Sequence, residues 1–254
     1  MVNILISGYY GFDNIGDESI LRTLVSSLRE HIPDCSLTVL SHNPASTREK
    51  YGVEAVDRMS PMAILRAVKK CDMLISGGGS LLQDVTSSKS LHYYLSIIRC
   101  AEFFHKKVFI YSQGIGPIDR PDNRRAAAAA LKRADGIVVR DERSASLLEE
   151  IGIARDKVVI TADPVIRMKK PDGDVGAEIL RKAGVSLDGR LTVGWSIRER
   201  DTDSRFVKEL LRSIQMMKDK YNAQSVLIPF HYEEDGEVCR HIAAQLPDDT
   251  AVCL

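Results

Sequence analysis

Short apolar runs alternate along this chain with longer stretches whose apolar positions recur every three or four residues. The runs are Ile4–Ser7, Leu37–Ser41, Met73–Ser76, Val108–Tyr111, Gly136–Arg140 and Val158–Thr161. They are apolar throughout, which predicts strands covered on both faces of a parallel sheet. Between the first two runs, Ile20, Leu21, Leu24, Val25 and Leu28 fall on one face of a helix over Asp17–His31. Met62–Val68, Leu91–Phe104, Arg124–Ala134 and Ser144–Ile151 carry the same period. Strands alternating with helices in this way predict an α/β fold with a Rossmann-like parallel sheet.

Beyond Pro164 the pattern changes. Lys169–Asp174 is polar and linker-like, and Val175–Ala183 offers a short helix. A second alternation follows: strands Leu191–Ile197, Ser225–Phe230 and Thr250–Leu254, with helices Phe206–Lys218 and Gly236–Gln245 between them. The expected division is an N-terminal Rossmann-like domain over residues 1–166, a linker over 167–188, and the start of a C-terminal Rossmann-like domain over 189–254. Three strands and two helices bury little of a parallel sheet. The second domain therefore reads as incomplete, and the 254-residue chain as inactive on its own. The only low-complexity patch is the helix-forming run Ala126–Ala130.

Composition narrows the class. At 44% apolar and 28% charged residues the chain is an ordinary globular one. Thirty-five basic residues balance thirty-five acidic ones, which removes a global electrostatic case for nucleic acid. Cys35, Cys71, Cys100, Cys239 and Cys253 never form a CxxC pair, so unpaired thiols in a reducing compartment are expected and a zinc site is not. The apolar run at the N-terminus is short for a signal peptide and lacks a basic flank. No segment reaches the length of a membrane span, and a cytoplasmic location is expected.

Open parallel sheets bind ligands where their strands end, so the loops leaving those ends carry the candidate chemistry. The first, "GYYGFDNIGDESIL", has glycines at Gly8, Gly11 and Gly16, which is not GxGxxG, and Asp17 stands where a P-loop needs lysine. Asp17 reads either as the cap of the following helix or as a substrate contact. Tyr9, Tyr10 and Phe12, with Asn14 beside them, suggest a wall against which a sugar ring could lie. In "ISGGGSLLQDV", Gly77, Gly78 and Gly79 leave backbone N–H groups bare for an anion, with Ser80 next; a plain tight strand exit is the alternative.

"YSQGIGPI" repeats the theme, with Gln113, Gly114 and Gly116 facing the ligand. In "VVRDERSASLLEE", Arg140 and Arg143 flank Asp141, either as a clamp for phosphate or carboxylate or as a surface ion pair. Asp163 in "TADPVI" has capping or hinge geometry. His31, His42, His92, His105 and His241 read as structural, while His231, at a strand end of the second domain, is the one expected to face the interdomain cleft as a substrate-binding candidate. No metal-ligand spacing and no nucleophile elbow is present.

Taken in order, "GYYGFDNIGDESIL", "LISGGGSLLQD", "YSQGIGPI", "VVRDERS" and "ADP" resemble the polysaccharide pyruvyl transferase family over about residues 3–166, and more loosely through "VGWSIRER" and "LIPFHYEEDGEV". The resemblance implies a GT-B-like pair of Rossmann-like domains facing a cleft. It implies transfer of pyruvate from phosphoenolpyruvate, as a ketal, onto a sugar of a cell-wall polysaccharide, with N-acetylmannosamine the expected sugar. No cofactor, metal or nucleotide is implied. The acceptor would be a polysaccharide or lipid-linked saccharide, with peripheral membrane association left open.

Arg140 would bind the donor, with Arg143 the second choice, and Asp17 and Arg140 would be the catalytic pair. The family's catalytic histidine and its basic partner fall beyond residue 254, and His231 is no substitute for them. Two rivals stand beside this reading: a nucleotide-sugar glycosyltransferase of the same fold, and a non-catalytic sugar-binding or assembly protein.

Overall fold

Apolar strands bury both faces only if neighbouring strands and covering helices take up their surface, which the chain achieves in its first unit, whereas β8 (Thr192–Ser196) of the second has no fully buried residue. The computed structural model describes residues 1–170, 174–199, 201–231, 234–247 and 251–253. Its two compact units are Met1–Met168 and Lys169–Leu254.

In the first unit, strands β1 (Val2–Tyr10), β2 (Cys35–Ser41), β3 (Glu54–Asp57), β4 (Met73–Ser76), β5 (Lys107–Gln113), β6 (Gly136–Val139) and β7 (Val158–Ile160) form one sheet. All pairings are parallel, in the order β3-β2-β1-β4-β5-β6-β7. The helices of this unit are α1 (Ile15–His31), α2 (Pro44–Tyr51), α3 (Pro61–Lys70), α4 (Ser88–Phe103), α5 (Pro121–Leu131) and α6 (Glu142–Glu150). The chain builds outward from β1 to β3 and then returns to place β4 on the other side of β1. That reversal is the switch point of the strand order, and it falls between Ser7 and Ser76, which lie opposite each other in register.

Successive residues of β1 point to opposite faces, so Leu5 and its neighbours Ile4 and Ile6 enter different cores. Leu5, Leu74, Val108 and Ile110 pack under Leu91, Leu95 and Ile98 of α4, while Ile4, Ile6 and Val39 pack under Leu21, Leu24 and Val25 of α1. Each such side chain contributes about 1.5–3 kcal/mol on burial, and truncating fully buried Leu74 to alanine would cost about 2–5 kcal/mol. The alanine run supplies the buried stripe of α5: Ala127 and Ala130 are inaccessible within the first of these cores.

Two elements, α2 and β3, form where the apolar pattern is silent. The α2 sequence PASTREKY begins with a cap, Asn43 Oδ1 accepting from Ser46 N at 3.2 Å, followed by Pro44, and ends at Gly52 with φ of 62°. The four-residue β3 forms the edge of the sheet beside β2.

The second unit contains α7 (Val175–Lys182), β8 (Thr192–Ser196), α8 (Arg205–Tyr221), β9 (Gln224–Ile228), α9 (Glu234–Ala244) and β10 (Ala251–Cys253). Its sheet is also parallel, in the order β10-β9-β8, over a core that includes Ile197, Val207, Ile214, Leu227, Val238 and Ile242. The expected strand ends Thr250 and Leu254, and positions 171–173 of the expected linker, lie outside the described residues. Among the described residues no helix is long and apolar enough to cross a membrane.

Candidate functional site

The turn between β1 and α1 is built around Asn14. Its Oδ1 accepts from the N–H groups of Gly16 and Asp17, both at 3.1 Å. The cap of α1 is therefore Asn14 and not Asp17, which corrects one of the two sequence readings of Asp17. With that post filled, the Asp17 carboxylate lies against the glycine loop: a Cβ added to Gly79 would meet Asp17 Oδ1 at 2.9 Å. Glu18 reaches back, accepting from Gly11 N at 2.8 Å and from the Tyr51 hydroxyl, and so closes the turn on itself.

The two adjacent tyrosines separate. Tyr9 is exposed and its ring stacks on Phe12, with centroids 4.1 Å apart; Phe12 stacks in turn on His42 at 4.4 Å. Phe12 thus has a ring against each of its faces. Tyr10 is fully buried, so it is not part of the exposed wall that the sequence suggested. Its ring fills the space that Gly8 and Gly77 leave open, because a Cβ on Gly77 would come within 2.1 Å of the Tyr10 hydroxyl. That hydroxyl is buried without a hydrogen-bond partner among the described residues. Burial, and after it the nearby Asp17 carboxylate, raise this phenol well above its ordinary value.

The glycine loops are less open than expected. Gly77 N donates to Ser7 O at 2.7 Å, and Gly114 N donates to Gly79 O at 2.8 Å, so neither N–H is bare. Gly77, Gly78 and Gly79 are all buried, and a Cβ on Gly78 would meet Ile20 Cγ2 at 2.9 Å. The triplet is what allows α1 to close down on the end of β4. Gln113 is also fully buried instead of facing a ligand: its side-chain amide donates to Ser76 Oγ at 2.7 Å, and its Oε1 has no partner among the described residues.

Ser80 is exposed and meets Arg140. The Arg140 guanidinium donates to Ser80 Oγ and to Asp163 Oδ2, both at 3.0 Å, and lies 3.6 Å from Asp141 Oδ2. It also occupies the place of a side chain at Gly114, where a Cβ would come within 2.7 Å of Nε. Asp141 does double duty as the cap of α6, accepting from Ser144 N at 2.8 Å. Burial pulls its carboxyl upward, but the Ser144 hydrogen bonds and Arg140 outweigh this and leave it below its ordinary value. Asp163 accepts from Val165 N at 3.1 Å, as a cap should, and still holds Arg140. Arg140, Arg143, Arg124, Ser80, Gly114 and Asp119 line a pocket of about 330 Å³.

Two buried charged positions escaped the sequence reading. Asp84 is buried and accepts from Asp119 N (2.9 Å), Arg120 N (3.0 Å) and Asn123 Nδ2 (2.8 Å), so it ties the Gly77–Gly79 loop to the start of α5. The aspartate after a glycine-rich turn was the signal available for it. Arg58, just past β3, is buried and donates to Gly8 O at 3.0 Å and to the Tyr94 hydroxyl at 3.2 Å. Burial pushes the Tyr94 phenol up to about 12. In the second unit His231 is half-buried, and its N–H donates to Asp235 Oδ2 at 2.8 Å. Among the described residues no group of three or more His, Cys, Asp or Glu side chains is placed to hold a metal ion.

Several solved structures share this fold. S. aureus MnaA, solved with UDP, matches with a TM-score of 0.63 at 14% identity, over 100% of this chain and 68% of its own. The UDP-GlcNAc 2-epimerase of Neisseria meningitidis, bound to UDP-GlcNAc, gives 0.63 at 16% identity, over 100% and 72%. Anabaena Alr3699/HepE in complex with UDP-glucose gives 0.61 at 11% identity, over 100% and 69%. At these identities the likeness is one of GT-B-like fold.

Among curated proteins, the amylovoran biosynthesis protein AmsJ of Erwinia amylovora is 22% identical, over 78% of this chain and 57% of AmsJ. The chain thus spans a little over half the length of that relative. The family model for polysaccharide pyruvyl transferases matches residues 14–250. Matched from the cap of α1 almost to its last strand, the chain belongs to the polysaccharide pyruvyl transferase family.

Proposed function

We propose that the protein transfers pyruvate from phosphoenolpyruvate to a sugar of a cell-wall polysaccharide, N-acetylmannosamine being the expected sugar, and leaves it as a ketal. The observation that carries this reading is a convergence. Asp17 and Arg140 come from opposite ends of the first unit's sequence, yet they meet the glycine loop at adjacent residues, Gly79 and Ser80.

The chemistry asks for both. One sugar hydroxyl adds to C2 of phosphoenolpyruvate while the methylene carbon takes a proton and becomes a methyl group. A second hydroxyl then displaces phosphate from C2. Of the two hydroxyl protons, one is balanced by that new C–H bond and the other leaves with phosphate, so the transfer is redox-neutral and needs no nucleotide. A carboxylate suits acceptance of a hydroxyl proton, the role assigned here to Asp17. Arginine suits the donor's carboxylate and phosphate, and Arg140 is held in one orientation by Asp163 and Ser80 while Arg143 lines the same pocket. A cytoplasmic enzyme working on a polysaccharide or lipid-linked saccharide fits this reading.

The test is a donor screen. The protein is incubated with an N-acetylmannosamine-containing saccharide and either phosphoenolpyruvate or UDP-sugars. Phosphate release that depends on the acceptor, with a ketal detected by NMR, supports the reading. Turnover of a UDP-sugar alone replaces it with glycosyl transfer, and saccharide binding without any turnover by the full-length protein leaves a binding protein.

A further inference from the structure

Arg58 is 7% exposed, and among the described residues no carboxylate lies within ion-pair distance of it. A guanidinium withdrawn from water without a counter-ion is costly to maintain. Its charge is met instead by four aromatic rings, whose centroids lie 5.6 Å (Tyr9), 5.1 Å (Phe12), 4.8 Å (Tyr93) and 5.5 Å (Tyr94) from Cζ. Tyr9 belongs to the end of β1, Phe12 to the turn that follows it, and the other two rings to α4. The planar fork adds fixed bonds, to Gly8 O at 3.0 Å and to the Tyr94 hydroxyl at 3.2 Å, and the Arg58 carbonyl accepts from the Tyr93 hydroxyl at 3.0 Å. Nε is buried with no partner among the described residues. A hydrophobic side chain would fill this place at less cost, so the charge has another use.

What the arginine holds is the ring stack. Tyr9, Phe12 and His42 lie almost parallel, at 7° and 5°, and Tyr9 and His42 are exposed. Tyr9 and His42 follow or end neighbouring strands, and Phe12 lies in the turn. Two exposed rings and the half-buried Phe12 between them would sample many rotamers unless something beneath fixed them. The outer ring face of a fixed stack, at the strand ends where open parallel sheets take their ligands, suits the apolar face of a pyranose.

We propose that Arg58 is a positioning residue: it fixes the Tyr9–Phe12–His42 stack so that the stack receives the acceptor saccharide. This rests on the pyruvyl-transfer reading for the identity of the acceptor. Arg58 touches neither donor nor acceptor and acts through the rings above it.

The experiment compares Arg58→Met with the unmodified full-length protein. The expected result has three parts. The melting temperature stays close to that of the parent, or rises. The ring-current shift of the His42 Hε1 resonance, produced by Phe12, collapses. The KM for an N-acetylmannosamine-containing disaccharide rises about tenfold, equivalent to ~1.4 kcal/mol, while kcat and the KM for phosphoenolpyruvate stay near the parent values. Arg58→Lys keeps the charge but loses the fork, and should restore part of the shift. If the methionine variant fails to fold, the lysine variant carries the test. A His42 shift that survives in the variant, or one indifferent to the disaccharide in the parent, overturns the proposal. Absence of phosphoenolpyruvate turnover in the parent overturns the pyruvyl-transfer reading alone, because the NMR arm still decides the role of Arg58.

Discussion

Asn14 accepts the backbone N–H of Asp17 at 3.1 Å, so one residue ends the turn and leaves the other's carboxylate to the glycine loop. This separates two roles that could have fallen on the same side chain. Asn14→Ala should lower stability by about 1 kcal/mol, the usual cost of a lost N-cap. Asp17→Asn should melt near the parent temperature and lose most of its turnover, since asparagine keeps the shape but cannot accept a proton. Thermal melts with phosphate-release assays decide the matter. Retained turnover with a lowered melting temperature would make Asp17 structural.

Arg140→Ala should weaken phosphoenolpyruvate binding by about 1.5–3 kcal/mol, the scale of charge-assisted hydrogen bonds. The side chain is about one-third exposed, and its pairs with Asp141 and Asp163 belong to the weak, solvent-screened class, so stability should barely move. Removing it also leaves those two carboxylates facing the donor. Arg140→Lys should recover only part of the loss, because an ammonium cannot bond Ser80 and Asp163 from a planar fork. Calorimetric titration with phosphoenolpyruvate reads the difference; equal affinity in parent and alanine variant would remove Arg140 from the donor site.

Two glycine substitutions should behave in opposite ways. At Gly114 a methyl group would meet the flexible end of Arg140, at 2.7 Å from Nε and Nη2. Gly114→Ala should therefore keep the fold and reduce donor affinity by swinging the guanidinium aside. At Gly77 the methyl would meet the buried Tyr10 hydroxyl at 2.1 Å and Ser7 O at 3.3 Å. Gly77→Ala should overpack the core and cost about 1–3 kcal/mol. Denaturant midpoints and donor affinities of the two variants should show this crossed pattern, and a destabilised Gly114→Ala would contradict it.

Asp84 gives the fold an acid limit. Burial would raise its carboxyl, but hydrogen bonds from Asn123 and from the N–H groups of Asp119 and Arg120 outweigh this and hold it below its ordinary value. A carboxyl whose folded value is depressed stabilises the fold above the ordinary carboxylate range. That contribution fades as pH falls through the range and is gone below the folded value. The denaturant midpoint of the parent should accordingly fall more steeply on acidification than that of Asp84→Asn. Parallel curves would show that Asp84 carries no such linkage.

The parallel sheet, its covering helices and the clustering of the glycine loops with Arg140 were legible in the sequence, because buried strands are continuous apolar runs and strand ends are where ligands bind. The positions that misled have physical causes. Reading β1 as ending at Ser7 left Tyr9 and Tyr10 side by side in a loop; the strand continues to Tyr10, and its period of two sends them to opposite faces. Reading β5 as ending at Tyr111 likewise left Gln113 in a loop, whereas two further strand residues carry it into the interior.

Arg58 was out of reach because α2 has no apolar stripe and β3 is a four-residue edge strand, so nothing in the pattern brought position 58 to the sheet. Choosing between Asn14 and Asp17 as the cap needed the turn geometry itself, since both residue types cap well.

The hydrogen bond from Gly114 N to Gly79 O, with Gly116 N donating to Leu82 O and Asp84 N to Pro117 O, stitches the two glycine loops together. For protein engineering this makes them a single graft. An attempt to change donor preference by importing only one loop from a relative would present its backbone to a partner cut for a different template. Swaps that exchange both loops together, with Asp84 included, are the ones that should yield folded chimeras.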